Sequence, residues 1–326
     1  MEAQKRLFKI IKSKIPDQNK LADFIEELLG ISSDSAYRRI RGEKELSFSE
    51  LQKICGKLNL SMDDILSYKS NQSALFHYSS VDFSDPESYI NYTTRLLDVF
   101  TALKSATDKE MLFTGQDIPF YHLLNYPELY FFKLYTWNNA ISRETTSYSD
   151  FCNNLRKDKI LPIYKKMHQA YMTIPSKEVW TTQTVDTILK LLEYYYETGA
   201  FENRDTVLLL LTQLTGLMDT VKKYADDGYK GSDRKAPFSM YVCSVNLENN
   251  FMLTRKEKHL SCHLKLYTIN SMFTNNKFLC SETANWIDDL ISKSTQISSA
   301  SVKERTCFFK SAKEKIDILR NKIQAS

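Results

Sequence analysis

Three guanidinium groups fall within four residues in Tyr37-Arg38-Arg39-Ile40-Arg41-Gly42. An arginine fork can donate two parallel hydrogen bonds to O6 and N7 of guanine, worth about 1 to 3 kcal/mol of discrimination between bases. Ala36 and Ile40, at i and i+4 with Tyr37 beside them, read as the core side of a short helix. A rotation of about 100° per residue then puts Asp34 and Arg38 outward, Ser35 and Arg41 on the shoulders and Arg39 at the flank. Arg38 is the first choice for reading a base, with Ser35 and Asp34 next. Lys20, Arg41, Lys44 and the lysines of the first helix suit phosphates, which fix register without reporting sequence. Other chemistry is sparse. His259, Cys262 and His263 have the spacing of a zinc half-site on a helix, but the neighbourhood reads as strand and no second ligand pair is near. Asp117 and His122 suit an acid–base pair, although a turn cap and a core histidine account for them as well. G-x-S-x-G, H-E-x-x-H and the glycine-rich phosphate motifs are absent. No catalytic residue, metal ligand or cofactor is assigned.

The elements that must hold the guanidinium groups are short helices. Leu7, Ile10, Ile11 and Ile15 form one apolar stripe opposite Lys5, Arg6, Lys9, Lys12 and Lys14. After Pro16-Asp17 a second stripe, Leu21, Ala22, Ile25, Leu28 and Leu29, stops at Gly30, a natural C-cap. Ser32 and Ser33 offer hydroxyls to cap a third helix that ends at Gly42. Ser47-Phe48-Ser49-Glu50 matches a capping box ahead of a fourth helix, and Ser61-Met62-Asp63-Asp64 caps a fifth turn carrying Ile65 and Leu66. The glycine-containing turn between helices two and three has the proportions of a helix-turn-helix, in which the second helix enters the major groove.

Lys20-Leu21-Ala22, Leu29-Gly30-Ile31-Ser32, Tyr37-Arg38-Arg39-Ile40-Arg41-Gly42 and Leu58-Asn59-Leu60-Ser61-Met62-Asp63-Asp64-Ile65-Leu66 together resemble the phage-repressor/Cro type of helix-turn-helix, the XRE family, over about residues 5–67. The resemblance implies a five-helix, lambda-repressor-like DNA-binding domain, with Gln18 to Lys20 near the DNA backbone and helix three in the groove. The family pattern has an apolar residue where Arg39 stands; here the apolar residue is Ile40, one position on. The candidate DNA-contacting set is Gln18, Lys20, Ser33, Asp34, Ser35, Tyr37, Arg38, Arg39, Arg41 and Lys44, and the expected partner is double-stranded DNA bound by a homodimer. Residues 1–67 hold 12 basic and 11 acidic side chains, so a protein-interaction adaptor with no DNA contact stays open.

A polar, serine-rich stretch from Ser67 leads out of this unit, giving domains 1–70 and 71–326. The larger domain reads as mainly helical, with helical spacing over 119–140, 148–173, 177–198 and 204–226. Leu208 to Leu211 reads as buried on every side. Strand-like pieces near 75–81, 110–115 and 238–269 predict a small antiparallel sheet, so the fold class is mainly α with an α+β second domain. A last helix carries Val302, Phe309, Ala312, Ile316, Leu319 and Ile323 on one face; its expected functional use is dimerisation. The aromatic run from Phe120 to Phe132 suits a thick core, or a pocket for a small-molecule or protein effector. An enzyme tethered by the helix-turn-helix is the other alternative.

The bulk numbers bound the rest. A chain of 326 residues is long enough for two cores, and 42% apolar and 26% charged residues with a mean hydropathy of −0.40 fit a globular protein. Eight glycines argue against repeated phosphate-binding turns. Six scattered cysteines and no export signal or long apolar run predict a cytoplasmic chain with reduced thiols and no membrane partner. A net charge of +4 is too small to argue for nucleic acid without regard to where the charges sit.

Overall fold

A computed structural model describes residues 2–15, 17–58, 60, 65, 74–142, 146–231, 233–245, 247 and 249–325; for residues 2, 13, 14, 18 and 19 only the helical backbone is described. The chain divides into two compact units, Met1–Leu75 and Phe76–Ser326. The first contains α1 (Glu2–Lys14), α2 (Gln18–Leu29), α3 (Ser33–Arg41) and α4 (Phe48–Leu58). Their apolar stripes meet in one core: Leu7 and Ile11 from α1, Leu21 and Ile25 from α2, Ala36 from α3, Ile54 from α4. The expected fifth helix falls outside the described residues except for Ile65, which is helical and buried in that core.

Local signals fix the helix ends. Gly42 takes φ +80°, where a Cβ costs roughly 1 to 2 kcal/mol, and its N–H donates to Arg39 O at 3.1 Å while Glu43 N–H donates to Arg38 O at 2.8 Å. The capping box at α4 forms as its spacing predicts: Glu50 N–H donates to Ser47 Oγ (3.2 Å) and Ser47 N–H to Glu50 Oε2 (2.9 Å). The start of α3 differs from expectation. Ser32 is the N-cap residue, but its hydroxyl accepts no amide and donates to Ser35 Oγ at 3.1 Å.

The second unit runs β1 (His77–Ser79), α5 (Pro86–Lys104), β2 (Lys109–Thr114), α6 (Phe120–Leu123), α7 (Pro127–Ile141), α8 (Tyr148–Asn154), α9 (Lys157–Tyr171), β3 (Ser176–Thr181), α10 (Asp186–Glu197), α11 (Arg204–Asp227), β4 (Tyr229–Lys230), β5 (Ala236–Cys243), β6 (Phe251–Lys256), β7 (His259–Lys265), β8 (Ser271–Thr274), α12 (Lys277–Ser292), β9 (Thr295–Gln296) and α13 (Val302–Ala325). The strands form one nine-stranded sheet in the order β1-β8-β7-β6-β2-β3-β5-β4, with β9 also on β5. This corrects the expectation of a small antiparallel sheet. β2, β3 and β5 pair in parallel, and only the remaining ladders are antiparallel.

Both faces of the sheet are covered, and the period of two along β2 shows how. Met111 and Phe113 join the large core beneath α5, α7, α9, α10, α11 and α13, whereas Leu112 points the other way into a smaller core with Leu253, Cys262 and, from α12, Cys280 and Ile287. Three expectations fail for reasons of packing. Residues 177–181, read as the start of a helix over 177–198, belong instead to the interior strand β3, where Val179 and Trp180 are wholly buried. Leu208 to Leu211 is not buried all round, because Leu209 lies 48% exposed on the outer side of α11. The stripe of α13 is not left for a second copy: Phe309, Ala312, Ile316, Leu319 and Ile323 are buried in the large core of their own unit, while Val302 is exposed.

Candidate nucleic-acid interface

α3 has two sides, and the boundary between them is not where the alternation of residue types places it. Ala36 and Arg39 are its buried residues. Arg39 is 5% exposed; its Nη2 donates to Glu50 Oε1 at 2.7 Å, its Nε to Glu50 Oε2 at 3.2 Å and its Nη1 to Ser35 O at 3.2 Å. Burial works against the Glu50 carboxylate, but the hydrogen bonds and charge of Arg39, with the Ser47 amide, outweigh it and hold the pKa below its ordinary value. Arg39 is therefore a core residue, not a flanking DNA contact. It stands where the family pattern has an apolar side chain, and a carboxylate from α4 neutralises it.

Asp34 and Arg38 are exposed as expected, and Arg41 joins them in one stripe at i, i+4 and i+7, with Ser33 exposed beside them, while Ile40 is half-buried against the same core. Among the described residues nothing pairs with the Arg38 side chain, whose fork is free to meet a ligand. Arg41 is held by Glu43, Nε to Oε1 at 2.8 Å, in an exposed pair that water and salt can replace. Tyr37 and Ser35 are half-buried, and Lys20 and Lys44 are exposed. The Gln18 side chain lies outside the described residues. Gln4 is a positioning residue that no sequence motif announces. Its Nε2 donates to Arg39 O (2.9 Å) and Lys44 O (2.8 Å), and its Oε1 accepts from Leu46 N–H (3.0 Å), so one amide from α1 ties down the loop that leaves α3.

This geometry is two helices joined at a tight turn, the second offering an unpaired arginine on its outer face. Residues 9–71 match the family model of the Cro/C1-type HTH DNA-binding domain. The first unit is thus a helix-turn-helix DNA-binding domain of the Cro/C1 type. No curated protein and no solved structure gives a significant match to the chain. Beyond the HTH domain, no described helix is long and apolar enough to cross a membrane.

The second unit does not bring its sequence-flagged groups together. Asp117 pairs with Lys133 (2.9 Å) and Lys265 (3.0 Å), not with His122. Burial raises the Asp117 pKa, yet the two ammonium groups more than reverse this and hold it at about 2. His122 Nε2 instead meets Glu178 Oε2 at 2.9 Å, and Glu178 also accepts from Tyr171 OH and Trp180 Nε1, both at 2.9 Å. Nearby, the Lys230 ammonium donates to Ile174 O and Ser176 Oγ and lies 3.6 Å from the centre of the Tyr171 ring. Burial lowers the Lys230 pKa to about 7. Glu178 and Lys230 are wholly buried, so this cluster is sealed from solvent. On β7, His259 and His263 share a face that Cys262 does not, and among the described residues no three His, Cys, Asp or Glu side chains are grouped to hold a metal.

Proposed function

We propose that this chain is a transcription regulator that binds DNA sequence-specifically, with α3 in the major groove. Arg38 donates to O6 and N7 of a guanine, while Ser33, Asp34 and Tyr37 contact neighbouring positions. Arg41, Lys20, Lys44 and Gln18 hold phosphates. The observation that carries the reading is the exposed Asp34–Arg38–Arg41 stripe on α3, the second helix of the helix-turn-helix, with Arg38 unpaired among the described residues. Two copies bind two half-sites about one helical turn apart, because one short helix reads too few bases to be selective alone. The second unit is read as regulatory; its Glu178–His122 pair is buried and closed on itself, which suits a structural part better than an acid–base pair open to substrate.

The test is selection from random duplexes by the full chain, which reports sequence, symmetry and half-site spacing together. An enriched inverted repeat with a guanine in each arm is expected. Absence of enrichment, with no duplex binding even at low salt, would favour an adaptor that uses α3 on another protein.

A further inference from the structure

The second unit contains a cavity of about 120 Å³ at the carboxyl end of β2, roofed by α5 and α7 and floored by β6 and β7. Rings from several elements line it, among them Tyr92, Phe113, Phe120, Tyr130, Trp137 and Phe251. An apolar space of about 150 Å³ holds a benzene molecule, so this somewhat smaller one has room for one six-membered ring at most, with any substituent directed to its open side. One end is different in kind. Asp117, Lys133 and Lys265 line it as two ammonium groups sharing one carboxylate. The Nζ atoms of Lys133 and Lys265 stand 5.6 and 5.0 Å from the centre of the Trp137 ring. Lys133 is 4% and Lys265 30% exposed at the side chain, so the second marks the open side.

The charges at this end do not balance. Asp117 is ionised, and His263, also in the wall, is held neutral because burial lowers its pKa to about 4. Two lysines therefore share one carboxylate, and burial, with the neighbouring Lys265 charge, outweighs Asp117 and lowers the Lys133 pKa, so a second anion here would be favourable to both. Two further polar atoms in the same wall, His263 Nε2 and Thr268 Oγ1, are shut off from solvent and find no hydrogen-bond partner among the described residues. Thr268 also takes φ +52°, an unfavourable conformation for a β-branched residue of the sort that collects at ligand clamps.

We propose that this cavity binds a small aryl carboxylate, its ring among the aromatic walls and its carboxylate on Lys265 and Lys133. The proposal gives the effector of the regulatory unit a chemical class and a place. It does not depend on DNA binding, and its test contains no DNA, so either reading can fail without the other.

The test is calorimetric titration of the full chain near neutral pH with three probes that share a ring and differ in charge: phenylacetate, 2-phenylacetamide and 2-phenylethylamine. Phenylacetate is expected to bind at least about tenfold more tightly than the amide, the margin of a charge-assisted hydrogen bond, and the amine least of all. Lys265→Met should weaken phenylacetate by about tenfold and leave the amide unchanged. Phenylacetate should also quench tryptophan emission in the unmodified chain and not in Trp137→Phe. No binding of phenylacetate up to about 10 mM, equal affinity for acid and amide, or quenching that persists without Trp137 would each overturn the proposal; the three-probe comparison needs no variant to fold.

Discussion

Replacing Arg39 by alanine tests the assignment of that residue to the core. The change removes three hydrogen bonds, two to Glu50 and one to Ser35 O, and leaves a carboxylate partly buried without its counter-ion. Removing one partner of a fully buried pair costs about 3 to 5 kcal/mol. The Glu50 side chain is 19% exposed and keeps its bond from the Ser47 amide, so water replaces part of the loss and the expected cost is about 2 to 3 kcal/mol. Arg39→Met with Glu50→Gln removes both charges and retains the capping box, so its stability should lie within about 1 kcal/mol of the unmodified chain. Urea unfolding of the full chain separates the units, because Trp137, Trp180 and Trp286 all lie in the second. The far-ultraviolet transition of the first unit should shift while tryptophan emission does not. The sign with pH follows from Glu50, whose folded pKa is lowered: the stabilisation is complete above its ordinary value of 4.5 and is lost as the pH falls through the lowered one. An Arg39→Ala cost below about 0.5 kcal/mol would refute the reasoning. So would a double variant that regains stability but loses base preference, since Arg39 would then be touching DNA after all.

Arg38→Ala should cost about 1 to 3 kcal/mol at one position of the selected site and leave binding to unrelated duplex nearly unchanged, as measured by competition anisotropy. Lys20→Ala and Lys44→Ala should instead weaken all duplexes alike, each lowering the slope of log affinity against log salt by about 0.9. Asp117, with its folded pKa lowered from 3.8 to about 2, should contribute on the order of 2 kcal/mol to the second unit above pH 3.8, lost as the pH falls towards 2. Acid unfolding followed by tryptophan emission should show that loss diminished in Asp117→Asn.

The HTH domain was legible because its signals are local. Gly30, Gly42 and the Ser47–Glu50 box act within four residues of themselves, so the ends of α2, α3 and the start of α4 lie where spacing puts them. The rotation of α3 was not local. Choosing between Arg39 and Ile40 as the inward residue requires knowing that Glu50, eleven positions on, waits for the guanidinium. β3 was lost for a similar reason. Ser-Lys-Glu-Val-Trp-Thr has no clean alternation, because both faces of the strand are covered and Glu178 is satisfied by His122 and Tyr171 from other elements. The terminal stripe lies in the core of its own unit and not against a second copy, since periodicity reports that a face is buried and not against what. Asp117 and His122 are close in sequence, yet Pro119 and the entry to α6 send them to different neighbours.

The sheet of the second unit finishes at both rims in stubs: β1 has three residues, β4 and β9 two each. Stubs of this length expose too few free amides and carbonyls to template a foreign strand. Growth by adding ladders edge to edge, the route to fibrils and to many sheet-continuous assemblies, is thereby discouraged. The short rims therefore act as a built-in stop against sheet-to-sheet polymerisation of the second unit.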